Sequence, residues 1–143
     1  MIIIKFKPDH LTKIQLQKNQ EHFYNWLNPE SYTHLSGFTV IVDNRIVFIG
    51  GINKVHQSRY IAWSLLSYDC GKYLPAILKK VKRYFIENCI GYRIECTCDC
   101  NFSQAHRMAE LLGFSCEAER MRSYEIDGRD AKLYAMIVGE CNG

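Results

Sequence analysis

The sequence predicts one α/β domain on a mixed, mostly antiparallel sheet, with a central parallel pair of strands and helices on both faces. Three patterns lead to this prediction: apolar runs typical of strands, two stretches of helical spacing in the second half, and two-residue hairpin turns. Strands that alternate with helices require a crossover and parallel pairing, whereas hairpins add antiparallel edges. A chain of 143 residues, 48% of them apolar, suffices for one domain (1–143) with a buried core.

The N-terminal region predicts a strand followed by two helical stretches. Residues 2–6 are apolar, and Asp9 after Pro8 is the expected cap of the first helix. Asn28-Pro29 is expected to end the second helix, because the residue before a proline disfavours helical backbone. The apolar positions of the two helices are Leu11 and Ile14, then Phe23, Trp26 and Leu27.

Three strands are predicted in the middle of the chain. Residues 38–42 and 45–49 flank Asp43-Asn44, a dipeptide that favours a two-residue hairpin turn. Gly50-Gly51 is expected to bend or bulge the second of these strands. Residues 60–66 are another apolar run with the character of a strand.

Helical spacing then predicts a helix over 73–88, with Pro75 tolerated in its first turn. Its apolar stripe consists of Leu74, Ile77, Leu78, Val81 and Phe85. Basic residues lie off this stripe, at Lys79, Lys80, Lys82 and Arg83. A solvated helix face explains them better than a nucleic-acid patch, since aromatic residues are not interleaved and the net charge is only +3.

The last third predicts a strand, a helix and a hairpin. Residues 92–100 alternate, with three cysteines on the apolar side. Asn101 and Gln104 resemble a capping box for the next helix, and Gly113 suits its C-terminal end. The closing hairpin is predicted to join 121–126 to 131–138 through Asp127-Gly128.

Seven cysteines are many for a chain of this length. The start of the sequence does not resemble a secretory signal, and no apolar run approaches ~20 residues, so we expect reduced thiols in a reducing compartment and no membrane partner. Cys96, Cys98 and Cys100 share one strand face, and a ~6.6–7 Å spacing between alternate Cα atoms is awkward for chelating one metal ion. Buried free thiols are the expected state, without a metal site.

The element order resembles the fold of the GNAT (Gcn5-related N-acetyltransferase) family. Residues 101–114 resemble the GNAT helix that ends in Leu-Gly-Phe, and 123–137 resemble the last two GNAT strands. The run from Trp63 through Gly71-Lys72 into the helix of 73–88 takes the place of the acetyl-CoA segment. The resemblance implies an acetyl-CoA-dependent transferase acting on an unknown amine, on a small molecule or a protein. GNAT edge strands often pair, which makes a homodimer one expected state.

A narrower resemblance is to a small GNAT-like family of short-tailed lytic bacteriophages that includes an internal virion protein. It is carried by Ile-Gly-Gly at 49–51, by Trp-x-Leu-x-Ser at 63–67 before the Gly-Lys turn and basic helix, and by the closing Asp-Gly hairpin. This resemblance implies a location in the host cytoplasm or the virion, and phage structural proteins as partners. It also leaves open a non-catalytic assembly role in which the fold is kept and catalysis is lost.

The resemblance implies cofactor-binding residues at the end of the third strand of this middle region and in the following turn. A strand edge would pair with the pantetheine arm, and backbone N–H groups at a helix N-terminus would hold the pyrophosphate. Of the family pattern Gln/Arg-x-x-Gly-x-Gly/Ala, one glycine remains, Tyr73 fills the second small position, and Asp69 places a negative charge nearby. Lys72 and Lys79 could offset that charge. The implied set is Leu65, Leu66, Ser67, Cys70, Gly71, Lys72 and Tyr73.

Acetyl transfer also needs a proton donor for the leaving thiolate and a base for the amine. The family commonly places a tyrosine four residues before the glycine of Leu-Gly-Phe, where this chain has Ala109. The substitutes considered as catalytic residues are Tyr68, His106 and Tyr134, with Tyr73 as a further tyrosine and His56 or Asp69 as bases. Plainer roles compete with these, since Tyr134 fits strand packing and His106 fits a helix surface.

Overall fold

The computed structural model describes residues 1–25 and 28–140. The strands are β1 (Ile2–Lys5), β2 (Ser36–Val42), β3 (Arg45–His56), β4 (Arg59–Leu66), β5 (Arg93–Asp99), β6 (Ser115–Met121) and β7 (Ala131–Ile137). The α-helices are α1 (Leu74–Cys89) and α2 (Ser103–Leu112). Short 3-10 helices cover Pro8–Thr12, Lys18–Asn25, Pro29–Tyr32, Cys70–Tyr73 and Ile126–Gly128.

The strands form a mixed sheet in the order β1-β2-β3-β4-β5-β7-β6. β4 pairs in parallel with β5 through Arg59–Ile61 and Arg93–Glu95. The pairs β1–β2, β2–β3, β5–β7 and β6–β7 are antiparallel. This arrangement confirms the predicted fold class, a mostly antiparallel sheet with one parallel pair.

The chain divides into two compact units, the first made of Met1–Asn53 and Ala62–Ile77 and the second of Lys54–Ile61 and Leu78–Gly143. In the first unit, an apolar cluster joins the N-terminal segment to β3 and β4. The ring of Phe6 meets that of Trp63 edge-on, with centroids 5.2 Å apart. The buried members of the cluster are Phe6, Leu11, Ile14, Leu16, Ile49 and Leu65.

The β2–β3 hairpin turns as predicted through Asp43 and Asn44, with φ of 50° and 63°. The predicted bend or bulge at Gly50-Gly51 produces no register shift against β2; the shift lies instead between Val40↔Phe48 and Ile41↔Ile46. Gly51 instead permits close backbone contact, because a Cβ there would lie 1.9 Å from the carbonyl oxygen of Ser36.

The two predicted N-terminal helices are short 3-10 helices, and the predicted Asp9 cap is wrong. Lys7 is the N-cap of the first, and its N–H donates to Nδ1 of His10, 3.1 Å away. Asp9 lies in the first turn and pairs with Lys13. Phe23 packs on the apolar cluster, while Trp26 and Leu27 lie outside the described residues.

In the second unit, the apolar stripe of α1 is buried at Leu78, Val81 and Phe85, and Phe85 meets Phe114 edge-on. Gly113 ends α2 at φ 102°, as predicted. The predicted capping box is wrong: Phe102 is the N-cap and makes no side-chain capping bond, and the N–H of Asn101 is bonded to the carboxylate of Asp99.

The closing hairpin needs one correction. Asp127 and Gly128 form a turn at positive φ, but the strand before it is β6 at Ser115–Met121 and not 121–126. Residues 122–130 form a connection in which the Asp130 carboxylate accepts the N–H of Ser123. This bond and the left-handed backbone of Ser123 take the chain out of the strand.

Candidate functional site

The segment expected to hold the cofactor lies in the first unit, where β4 ends in a turn that leads into α1. Ser67 N–H donates to Val47 O in β3 at 2.9 Å, and Cys70 N–H donates to Ser67 O at 3.2 Å. The 3-10 helix Cys70–Tyr73 follows and continues into α1. The first N–H groups of such a helix lack intrahelical acceptors and favour anions.

The negative charge of Asp69 is neutralised inside this turn. Arg45 Nη1 lies 2.5 Å from one carboxylate oxygen, and the hydroxyl of Ser67 donates to the other at 2.7 Å. Burial alone would raise the pKa of Asp69, but the hydrogen bonds from Ser67 and Arg45 lower it below its usual value. The carboxylate therefore stays ionised and paired, so it opposes an incoming phosphate less than its sequence position implied.

The backbone at Gly71 is open. A Cβ added there would meet no atom within 4 Å. Lys72 is exposed, and its ammonium lies 5.4 Å from the centroid of the Tyr73 ring. By contrast, the Cys70 side chain is buried, which raises the pKa of its thiol to about 12, so only its backbone could face a ligand. The turn therefore fits a phosphate group at Gly71 and Lys72.

The strand edge expected to pair with the pantetheine arm is already bonded. Because Ser67 N–H faces β3, the alternating groups of Leu66 face away from β3. Leu66 N–H donates to the side chain of Gln20 at 2.8 Å, and Leu66 O accepts from Gln17 N–H at 3.0 Å. Leu65 places its side chain in the apolar cluster. This edge of β4 can therefore pair with a pantetheine arm only if the segment that contains Gln17 and Gln20 moves away from Leu66.

A cavity of about 380 Å³ lies beside the same turn, within the first unit. Tyr68 lines it and is 64% exposed. Arg45 and Lys13 also line it, as does buried His10, whose pKa is lowered by burial. Because Nδ1 of His10 accepts a backbone N–H from Lys7, the ring proton belongs on Nε2. Sequence reasoning missed Arg45 and His10, for which no local motif exists.

The structure brings together two of the three predicted catalytic residues, in the second unit. The hydroxyl of Tyr134 donates to Nδ1 of His106 at 3.1 Å, and Nε2 of His106 donates to Cys100 O at 3.3 Å. Tyr134 is only 2% exposed, and burial raises its pKa. Both ring nitrogens are engaged and the phenol is enclosed, so the pair ties α2 to β7 and offers no open group. Their catalytic role stays a prediction.

The cysteines of β5 are enclosed thiols. Cys98 is buried and Cys96 half-buried, and a hydrogen bond to Cys98, together with burial, raises the pKa of the Cys96 thiol. Among the described residues, no group of three or more histidine, cysteine or acidic side chains could hold a metal ion. The basic residues of α1 form a solvated face, with Lys79, Lys82 and Arg83 exposed.

The order and pairing of the strands match the fold of acetyltransferases of the GNAT family. A GNAT-family acetyltransferase from Bacillus anthracis superposes with a TM-score of 0.66 at 17% identity, covering 96% of this chain and 95% of that one. The ribosomal-protein-S5-alanine acetyltransferase from Vibrio fischeri gives 0.68 at 16%, covering 96% and 93%. The protein yncA from Salmonella typhimurium, solved with its cofactor acetyl-CoA, gives 0.69 at 7%, covering 99% and 96%.

These likenesses show the fold. No protein-family model matches the sequence, and no curated protein matches it either. Within residues 1–25 and 28–140, no helix is long and apolar enough to cross a membrane.

Proposed function

We propose that this chain binds acetyl-CoA and transfers the acetyl group to an amine. The observation that carries the proposal is the turn after β4, where Arg45 neutralises Asp69 and Ser67 bonds to it, while Gly71 leaves its backbone open at the start of a helix. A helix N-terminus with an open backbone and no unpaired acid is suited to a diphosphate. The solved neighbour with acetyl-CoA bound supports the choice of cofactor.

In this proposal the N–H groups of Gly71 and Lys72 hold the pyrophosphate, and the edge of β4 at Ser64 and Leu66 takes the pantetheine arm. Acetyl-CoA, when bound, supplies an activated thioester. Tyr68 is the exposed member of the three predicted catalytic residues, and it closely follows the strand end. It is therefore the group we assign as proton donor to the thiolate.

The binding step is tested by thermal unfolding with acetyl-CoA and, in parallel, with S-acetylpantetheine, which lacks the pyrophosphate. A ligand that binds only the folded chain at 100 times its Kd stabilises it by about 2.7 kcal/mol. We expect acetyl-CoA to raise the melting temperature clearly and S-acetylpantetheine to raise it less. The absence of any shift at millimolar acetyl-CoA would contradict the proposal.

The role of Tyr68 is tested separately, with Tyr68→Phe and the exposed Tyr124→Phe as a matched control. Removing a proton donor is expected to lower kcat roughly a hundredfold or more, with KM little changed. An unchanged kcat in Tyr68→Phe would show that another group, or water, protonates the leaving thiolate.

The second candidate is a non-catalytic protein of a short-tailed phage that retains the fold and acts in the host cytoplasm or the virion. Two observations favour the absence of catalysis: the Leu66 edge is already bonded, and Ala109 stands where the family places a tyrosine. This candidate predicts that the protein co-sediments with purified particles or assembly intermediates. Its absence from both, together with a clear acetyl-CoA shift, would favour the enzyme.

A further inference from the structure

The structure assigns a specific role to the segment Gln15–Gln20. We propose that it is an intramolecular occupant of the cofactor-arm edge of β4, with the Gln20 carboxamide in place of the polar groups of pantetheine. Acyl-CoA can then bind only when this segment leaves the edge. The inference rests on the proposed function and adds to it a regulation of the same site.

Four hydrogen bonds join the segment to the edge. The carboxamide of Gln20 donates to Ser64 O at 3.1 Å and accepts from Leu66 N–H at 2.8 Å. Gln17 N–H donates to Leu66 O at 3.0 Å, and Tyr68 N–H donates to Gln15 O at 3.0 Å. Around Leu16 and Ser67 this amounts to one antiparallel bridge.

These bonds satisfy the groups that an acyl-CoA arm would need. Ser64 O and Leu66 N–H are on the edge of β4 that faces away from β3, as shown by the bond from Ser67 N–H to Val47 O. A pantetheine arm carries two secondary amides and would meet the same groups with one N–H and one C=O. Because a backbone N–H makes one strong hydrogen bond, Leu66 cannot serve Gln20 and an arm together.

The segment contains both a fixed point and a part that can move at low cost. Leu16 is buried in the apolar cluster, and its N–H donates to the hydroxyl of Tyr24 at 2.6 Å. Beyond it, the 3-10 helix Lys18–Asn25 has Gln20 as its one buried residue, 7% exposed. Helices of this type have poor hydrogen-bond geometry. Tyr24, whose hydroxyl bonds to Leu16, fixes the far end, so release of Gln17–Gln20 between these two points gives up the Gln20 bonds and the bond from Gln17 to Leu66.

The first test compares the same replacement, glutamine to methionine, at two positions of this segment. Gln20→Met removes both carboxamide bonds at nearly constant volume, whereas Gln17→Met keeps the backbone bond to Leu66. Two hydrogen bonds of ordinary net strength lost from the free protein alone correspond to roughly tenfold or more in affinity. By calorimetry, we expect Gln20→Met to bind acetyl-CoA about tenfold more tightly than the unaltered chain does. Gln17→Met should bind acetyl-CoA with the same affinity as the unaltered chain.

The second test uses the unaltered chain, so a folding defect in a variant cannot affect its result. Amide hydrogen exchange is followed with and without saturating acetyl-CoA. We expect the Gln17 amide to lose protection on binding, because the departing segment separates it from its acceptor Leu66 O, while the Leu66 amide stays protected by the arm.

The outcomes separate this inference from the proposed function. If acetyl-CoA binds Gln20→Met and the unaltered chain equally, or if the Gln17 amide stays protected at saturation, the occupant role is overturned while acyl-CoA binding stands. If neither protein binds acetyl-CoA at millimolar concentration, both proposals are wrong. Binding seen only after Gln20→Met supports both.

Discussion

The turn after β4 and the strand pair β5–β7 each hold a carboxylate beside arginine, yet their surroundings differ. Asp69 in the turn is held by Arg45 and Ser67, and Gly71 and Lys72, just beyond buried Cys70, are exposed. Glu95 in β5 is held by Arg59 and Arg93, and Arg93 also forks onto Glu117. Glu95 itself is buried, in a strand that pairs with β7 from Arg93↔Ile137 to Asp99↔Ala131.

The difference shows how to tell a structural polar cluster from a candidate site. In β5–β7 the polar side chains satisfy one another: Thr97 bonds to Glu125, Tyr134 to His106, and Glu95 to its arginines. A network completed from within has no group left for a ligand. In the turn, pairing removes the unfavourable charge and leaves backbone N–H groups for an anion. Substitutions in the two regions can test this contrast.

The largest effect is expected at Glu95, which is 7% exposed. Glu95→Gln leaves Arg59 and Arg93 without their shared carboxylate, and breaking a buried ion pair is costly. Because both arginines are partly exposed, we expect a loss of about 2–3 kcal/mol in the free energy of unfolding, measured with urea. Glu117→Gln is the matched control, since Glu117 also pairs with Arg93 but its side chain is 48% exposed. Its expected loss is under ~1 kcal/mol. Equal losses in both would contradict a structural role specific to Glu95.

The same carboxylate predicts a dependence on pH. The hydrogen bond from Arg59 lowers the pKa of Glu95 below its ordinary value of 4.5. Its stabilising contribution is therefore complete above the unfolded-state pKa and is lost as pH falls below about 4.5 towards the lowered folded-state value. Thermal unfolding from pH 7 to 3 should show the gap between the unaltered chain and Glu95→Gln narrowing in acid. A stability difference that widens in acid would contradict a lowered pKa for Glu95.

The sequence predicts well those elements whose signals are local. The turn at Asp43-Asn44, the stripe of α1 and the left-handed Gly113 each depend on a few neighbouring residues, and each was confirmed. The sequence misplaced β6 because Ser115–Met121 is an edge strand with mostly exposed side chains. Without a buried face, such a strand has no alternating apolar pattern to find.

The site was predictable only in part, for a related reason. The sequence predicts a strand-to-helix turn at Gly71 and Lys72. It also places Asp69 nearby as a negative charge unfavourable to phosphate, because its partner Arg45 is 24 residues away and no local pattern shows the pairing. Gln20 is 44 residues from Ser64, and its role could not be read from the polar stretch around it. Contacts between residues distant in sequence decide both points, and no local pattern encodes them.

A moderate effect is expected at Tyr134, within the enclosed network. Tyr134→Phe removes the hydroxyl that donates to Nδ1 of His106 and leaves the ring packing intact. One hydrogen bond of this kind is worth about 1 kcal/mol, so the free energy of unfolding should fall by about that amount. Tyr124→Phe, at an exposed tyrosine, should change it by less than ~0.5 kcal/mol.

The activity of Tyr134→Phe distinguishes the two roles of this residue. If Tyr134 only ties α2 to β7, the turnover rate for acetyl transfer should stay within about twofold of the unaltered chain at temperatures where both are folded. A roughly hundredfold slower turnover, the size typical of a lost general acid, would show that the enclosed phenol takes part in proton transfer.

The smallest effect on stability, and the most informative for the site, is expected at Gly71. Gly71→Ala adds a Cβ into open space at a residue without positive φ, so the free energy of unfolding should stay constant or rise by up to about 1 kcal/mol. The same methyl group hinders close approach of a phosphate to the backbone. Calorimetry should therefore show weaker binding of acetyl-CoA and unchanged binding of S-acetylpantetheine. If both ligands bind Gly71→Ala as they bind the unaltered chain, the pyrophosphate does not lie at this turn, and the contrast between the open turn and the enclosed strand pair no longer marks a binding site.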